Sequence, residues 1–218
     1  MRTLPILFKT EMVQALLAGR KTCTRRVIKL PDKMTGRPIG KSGDSSNPLG
    51  FFYIGGIKRP PYQPGDILYV RETWGKGYEE GTYIYKADDK LADLPTFKNS
   101  TKLIYHPSIH MPKDAARIWL KVTDVRVERL QEITEDQTEE EGFLFTPPCL
   151  HLTGENYCDI DGPCTSKIKY CDMGAGELFG KVLWNSTIKK TDIDRYGWDA
   201  NPYVWVIEFE RCEKPGKE

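Results

Sequence analysis

The clearest strand pattern in the chain is Ile118-Trp119-Leu120-Lys121-Val122, whose aliphatic residues recur with a period of two. The apolar phase then shifts: Val125 and Val127 are odd-numbered where Ile118, Leu120 and Val122 are even. A bulge or bend near Thr123-Asp124 keeps both halves on one face. Tyr203-Val204-Trp205-Val206-Ile207-Glu208-Phe209 is a second strongly apolar strand, and residues 3–8, 22–29, 66–73 and 82–87 have strand composition. Helical spacing appears in three stretches. Met12, Val13, Leu16 and Leu17 predict a helix over 11–18, with Thr10 as N-cap and Gly19 as its stop. Thr134-Glu135-Asp136-Gln137 matches a capping box and opens a short helix ending near Gly142. Leu178, Phe179, Val182, Leu183 and Trp184 predict an amphipathic helix over 175–189. Residues 31–65 are rich in Gly, Pro and Ser and read as a long surface loop with at most scraps of strand. Many strands without long βα alternation predict an α+β fold, a mostly antiparallel β-barrel with flanking helices.

Composition narrows this picture. A chain of 218 residues, 39% hydrophobic and 29% charged, suits one domain with sizeable insertions. It lacks a run of about 18 apolar residues, so no membrane association is expected. Thirty-two basic against thirty-one acidic residues leave +1. Nucleic-acid binding then needs a local basic patch. Six cysteines without a secretory signal point to a reducing, cytoplasmic setting in which disulfides are disfavoured. Cys149, Cys158, Cys164 and Cys171 cluster near His151. Four thiolates, or three and the imidazole, would satisfy a structural zinc, yet no Cys-x-x-Cys knuckle is present, and free thiols are the other reading. Cys23 and Cys212 read as small strand residues. No cofactor is required for the chemistry considered next.

The local basic patch is Gly19-Arg20-Lys21-Thr22-Cys23-Thr24-Arg25-Arg26, at a helix-to-strand junction. Arg20, Lys21, Arg25 and Arg26 offer planar forks and a point charge to phosphate or carbonyl groups, and a solvated basic turn is the plainer reading. The arginines beside Lys21 would favour its neutral form, as a base requires. Thr24 can share a site with Lys21 only if the chain turns between them, because residues 21 and 24 face opposite sides of an extended strand. Glu139, Glu140 and Glu141 crowd a helix C-terminus, where the dipole disfavours negative charge, so Glu141 takes a cationic partner or a raised pKa, and a solvated acidic helix end is the plainer reading. Glu72 shares a strand face with Leu68, Val70 and Trp74, and a buried salt bridge, to Arg26 or Arg71, is its expected role. His106 and His110 flank Pro107-Ser108 in a loop.

The strip resembles the ASCH family, whose signature is Gly-x-Lys with an Arg further on; Gly19, Lys21 and Arg26 match, and Thr24 stands where an acid is frequent. Ile133-Thr134-Glu135 through Glu141-Gly142 and the final Val206-Ile207-Glu208-Phe209 are similar to the family's second helix and last strand. Pro5-Ile6-Leu7-Phe8, Val70-Arg71-Glu72-Thr73-Trp74 and Pro107-Ser108-Ile109-His110-Met111-Pro112 resemble ASCH-like proteins of phages and prophages. The resemblance implies a single PUA-like domain over 1–218, with insertions at about 31–65 and 146–173, that binds RNA, another nucleic acid or a nucleotide. A small bacterial subfamily hydrolyses the amide of cytidine acetylated on its exocyclic amine. Leu17 to Thr22 with Thr24 is similar to its strip, so Lys21, Thr24 and Glu141 would carry its three catalytic roles. A phage structural or assembly protein without catalysis is the third reading.

Overall fold

The computed structural model describes residues 1–31, 34–77, 79, 81–88, 104–143 and 174–216. In chain order the main elements are β1 (Thr3–Leu7), α1 (Thr10–Leu17), β2 (Cys23–Val27), β3 (Gly36–Ile39), β4 (Gly50–Tyr53), β5 (Gly56–Lys58), β6 (Ile67–Arg71), β7 (Trp74–Lys76), β8 (Tyr83–Tyr85) and β9 (Trp119–Arg129). There follow α2 (Glu135–Glu140), α3 (Ala175–Leu178), a π-helical stretch Phe179–Trp184, α4 (Asn185–Thr187), α5 (Ile193–Tyr196) and β10 (Tyr203–Cys212).

The alternating stretches form the centre of the molecule. Strands β9 and β10 pair antiparallel within a five-stranded sheet ordered β1-β6-β9-β10-β2. Only β1 and β6 run parallel in it. The register of β10 shifts between Glu208, opposite Asp124, and Phe209, opposite Val122. Thr123 is therefore the extra residue of a bulge, where the apolar phase shift required one. Its effect is that Leu120, Val122 and Val125 all reach one buried cluster with Trp205, Ile207 and Phe209. On the opposite face of β10, Val204 and Val206 pack with Leu130, Phe179, Trp184 and Trp198. The fold is α+β, mostly strands in open sheets with a few short helices. Strands β1 and β2 are the two edges of the main sheet, and no ladder joins them among the described residues.

Two local expectations need correction. Residues 31–65 hold a three-stranded antiparallel sheet, β3-β4-β5, rather than a loop. Its strands are three or four residues long and broken by glycines, too short for a period to register. Phe51 ties it to the core: it is 1% exposed, with its ring 4.9 Å from that of Tyr203. Thr10 is the first helical residue and Lys9 the N-cap, without a side-chain cap bond. The capping box of α2 forms as expected, with Thr134 accepting from the Gln137 amide and the Gln137 side chain reaching back to Thr134.

Candidate ligand-binding cleft

Two helix endings built alike bring the key charges together. Helix α1 stops in a Schellman motif. The Gly19 amide donates to the Leu16 carbonyl and the Arg20 amide to that of Ala15, with Gly19 at φ +74°. Helix α2 stops the same way: Gly142, at φ +82°, donates to Glu139 and Phe143 to Thr138. The Thr22 amide then donates to the Glu140 carbonyl at 2.8 Å, locking one ending against the other. No side chain fits at Gly142, where a Cβ would lie 2.6 Å from the Ala15 Cβ and 3.2 Å from the Lys21 Cβ.

Lys21 is consequently buried, and its Nζ donates to Glu141 Oε2 at 2.7 Å and to the Glu141 and Cys23 carbonyls at 2.8 Å each. An ammonium has three N–H bonds, and all three are used. The turn that Lys21 and Thr24 needed is supplied ahead of β2: Lys21 precedes the strand and folds its side chain back onto Cys23. Arg25 shares the Glu141 carboxylate with Lys21, so a like charge lies close to the ammonium. Arg25 engages Glu141 Oε1 at 3.5 Å, Glu128 Oε2 at 3.1 Å and Gln137 Oε1 at 2.7 Å. The α2 capping box is thereby wired to the ion cluster. Arg25 Nε is buried without a hydrogen-bond partner among the described residues.

A cleft of about 560 Å³ opens beside this cluster, between the edge strands β1 and β2. Lys21, Thr24, Arg25, Arg26 and Glu141 line it on one side. Phe8, Met12, Tyr62, Phe179, Leu183 and Trp184 give it an apolar wall. Arg26 pairs across the strands with Trp205 and Thr24 with Ile207, so both project toward the sheet's interior face. The Arg26 guanidinium donates only to carbonyls, those of Arg25 at 3.3 Å and Leu7 at 3.1 Å, and no carboxylate lies within 4.0 Å of it among the described residues. Burial pushes its pKa down, opposed by Glu141 and Tyr62. Burial likewise raises the Tyr62 phenol, whose hydroxyl donates to the Pro5 carbonyl. The Thr24 hydroxyl has no hydrogen-bond partner among the described residues, although Thr24 is only 2% exposed. Cys23 is no nucleophile here: burial first, then Glu141, pushes its thiol up to about 12.

The other candidates lie elsewhere. Arg20 is exposed, donates to the Gly142 carbonyl and does not line the cleft. Glu72 is paired neither with Arg26 nor with Arg71. It takes a bidentate fork from Arg117, at 2.9 and 3.0 Å, which also binds Asp88. Burial raises the Glu72 carboxyl, against Arg117. His106 pairs with Trp74 through the backbone, with its ring 5.4 Å from the indole, and His110 is exposed. Cys149, Cys158, Cys164, Cys171 and His151 lie outside the described residues; among the described residues no group of three metal-ligating side chains converges.

Sequence reasoning missed the apolar wall. Phe179 and Trp184 belong to the π-helical stretch, a feature that often marks functional sites and that periodicity hides. The signal available was Gly180 inside an amphipathic helix, where a Cβ would collide with the Trp198 ring. No helix among the described residues is long and apolar enough to cross a membrane. Comparison with protein-family models, with curated proteins and with solved structures returned no match to this chain.

Proposed function

We propose that this chain is an ASCH-type protein with a PUA-like, partly closed barrel, and that its cleft binds a nucleoside or nucleotide, free or exposed on a nucleic acid. The observation that carries the reading is the meeting of Lys21, Thr24, Arg26 and Glu141 on one cleft with an aromatic and apolar wall. Its volume falls within the roughly 300–1,000 Å³ of small-molecule sites. Phe8, Met12, Leu183 and Trp184 offer apolar surface to a planar base. Arg26 has donors and a charge that no carboxylate pairs with inside 4.0 Å among the described residues, which suits a phosphate or a base carbonyl. The lining of one cleft by both edge strands supports the barrel, and free Cys23 and Cys212 agree with a cytoplasmic setting.

Hydrolysis of an acylated exocyclic amine is a second reading, favoured by the 2.7 Å contact between Lys21 and Glu141. One proton moved along that bond leaves a neutral amine and a protonated carboxyl together. Thr24 Oγ1 then attacks the amide carbonyl and gives its proton to Lys21, while Glu141 protonates the departing amine. Water cleaves the resulting ester, releases the acid and restores the threonine.

Calorimetric titration with cytidine, cytidine acetylated on its exocyclic amine, and cytidine monophosphate tests both readings. The wild type binds one equivalent, and Arg26→Gln weakens the monophosphate by about tenfold or more. Acetate release that disappears in Thr24→Val supports hydrolysis; binding without release leaves a binding protein. Heat from none of the three, with the protein folded, removes the cleft reading.

A further inference from the structure

The β3-β4-β5 sheet has one large side chain in the core and several outside it. Phe51 is 1% exposed, whereas Phe52 is 43%, Ile57 46% and Ile54 88% exposed. Phe52 sits opposite Arg37 on β3 and opposite Ile57 on β5, so the three form one row on the outer face. The Arg37 guanidinium lies 5.9 Å from the Phe52 ring centroid. Gly50 occupies the same face two residues before Phe52. A Cβ there would lie 3.1 Å from Arg59 Nη1, which places the Arg59 guanidinium over the glycine. Bonds from that nitrogen to the Pro48 and Leu49 carbonyls hold it there, at 2.6 and 3.2 Å. An exposed aromatic ring is thus flanked by two guanidinium groups.

Charge makes the face selective. In a chain whose net charge is only +1, residues 36–59 carry four cations: Arg37 and Arg59 stand on this face, while Lys58 is opposite the buried Phe51 on the other and Lys41 lies beyond β3. Their one acid, Asp44, is turned into its own loop, accepting from the Ser46 amide and hydroxyl and the Asn47 amide.

We propose that this outer face is a second binding site, independent of the cleft, for a single-stranded nucleic acid. One base stacks on Phe52, and the flanking phosphates meet Arg37 and Arg59. A ring with cations on both sides matches a base with its two phosphates, and stacking on one ring tolerates any base. A duplex hides its base faces and cannot use the ring. A second copy of the chain is a poor occupant, because a two-fold contact would set these cations against their own kind.

Fluorescence anisotropy of the full chain with a labelled single-stranded RNA or DNA of about 12 nucleotides tests the site. Binding weakens with rising salt, exceeds that of the matching duplex, falls about tenfold in Phe52→Ala and is restored in Phe52→Trp. Arg37→Gln with Arg59→Gln lowers the salt slope by about two contacts' worth. Mononucleotide affinity in the cleft is unchanged in all these variants. Phe52 is exposed, so a matching circular dichroism melt excludes unfolding as the cause. Equal affinity of wild type and Phe52→Ala for the single strand overturns the proposal. So does a concentration-dependent dimer in sedimentation that Phe52→Ala abolishes.

Discussion

Glu141 and Glu72 are both buried carboxylates held by cations, and they sit in opposite surroundings. Glu72 receives the rigid two-pronged fork of Arg117 in a cluster with Asp88, and the cleft does not reach it. Glu141 divides its oxygens between Lys21 and Arg25 and forms part of the cleft wall beside Thr24 and Arg26. Burial and pairing are therefore common to a structural ion pair and a candidate site. The difference lies in what adjoins the pair among the described residues: a hydroxyl without a hydrogen-bond partner, a guanidinium held only by carbonyls, and space for a ligand.

Substitutions at the two pairs sharpen the contrast. Removing one partner of a buried pair leaves the other charge uncompensated, so Lys21→Ala and Arg117→Ala each lose about 3–5 kcal/mol in urea unfolding. Only Lys21→Ala, measured where it remains folded, also impairs cleft binding. Gly142→Ala comes next. It forces a Cβ into a backbone at φ +82° and against Ala15, costing about 1–3 kcal/mol, and it weakens ligand binding by shifting Glu141.

A smaller effect at Glu72 depends on pH. The folded-state pKa of Glu72 is raised above the ordinary 4.5, so the folded chain holds this proton more tightly than the unfolded one. Its contribution is fully present below 4.5 and is lost as pH rises through the raised value. Thermal melts across that window fall with rising pH in the wild type and less steeply in Glu72→Gln. Unchanged steepness would separate Glu72 from the effect. The smallest change is at Arg20. Arg20→Ala shifts stability by about 0.5 kcal/mol or less and leaves cleft affinity intact, despite its place in the basic strip.

Much of this contrast was legible in particular residues. Gly19 and Gly142 announced two helix stops, and a cationic partner, which Lys21 supplies, was one of the readings open to the acids before Gly142. The phase shift between Val122 and Val125 located the Thr123 bulge, because a period of two leaves no other way to keep both halves buried. What escaped was whatever depends on tertiary placement. Glu72 and Arg117 are distant in sequence, so no spacing connects them. The β3-β4-β5 strands are shorter than a readable period. The apolar wall at Phe179 and Trp184 looked like ordinary core, since a residue facing a cleft and one facing a neighbouring strand share one hydrophobic pattern.

Methionine-methyl NMR tests the central claim most directly, because Met12 lines the cleft, Met34 lines a separate smaller hollow and Met111 packs beside Trp74. On titration with cytidine monophosphate, the Met12 methyl resonance shifts saturably while those of Met34 and Met111 stay in place, and Arg26→Gln raises the midpoint of that shift about tenfold or more. Saturable shifts at Met34 or Met111 with Met12 unmoved would contradict the account.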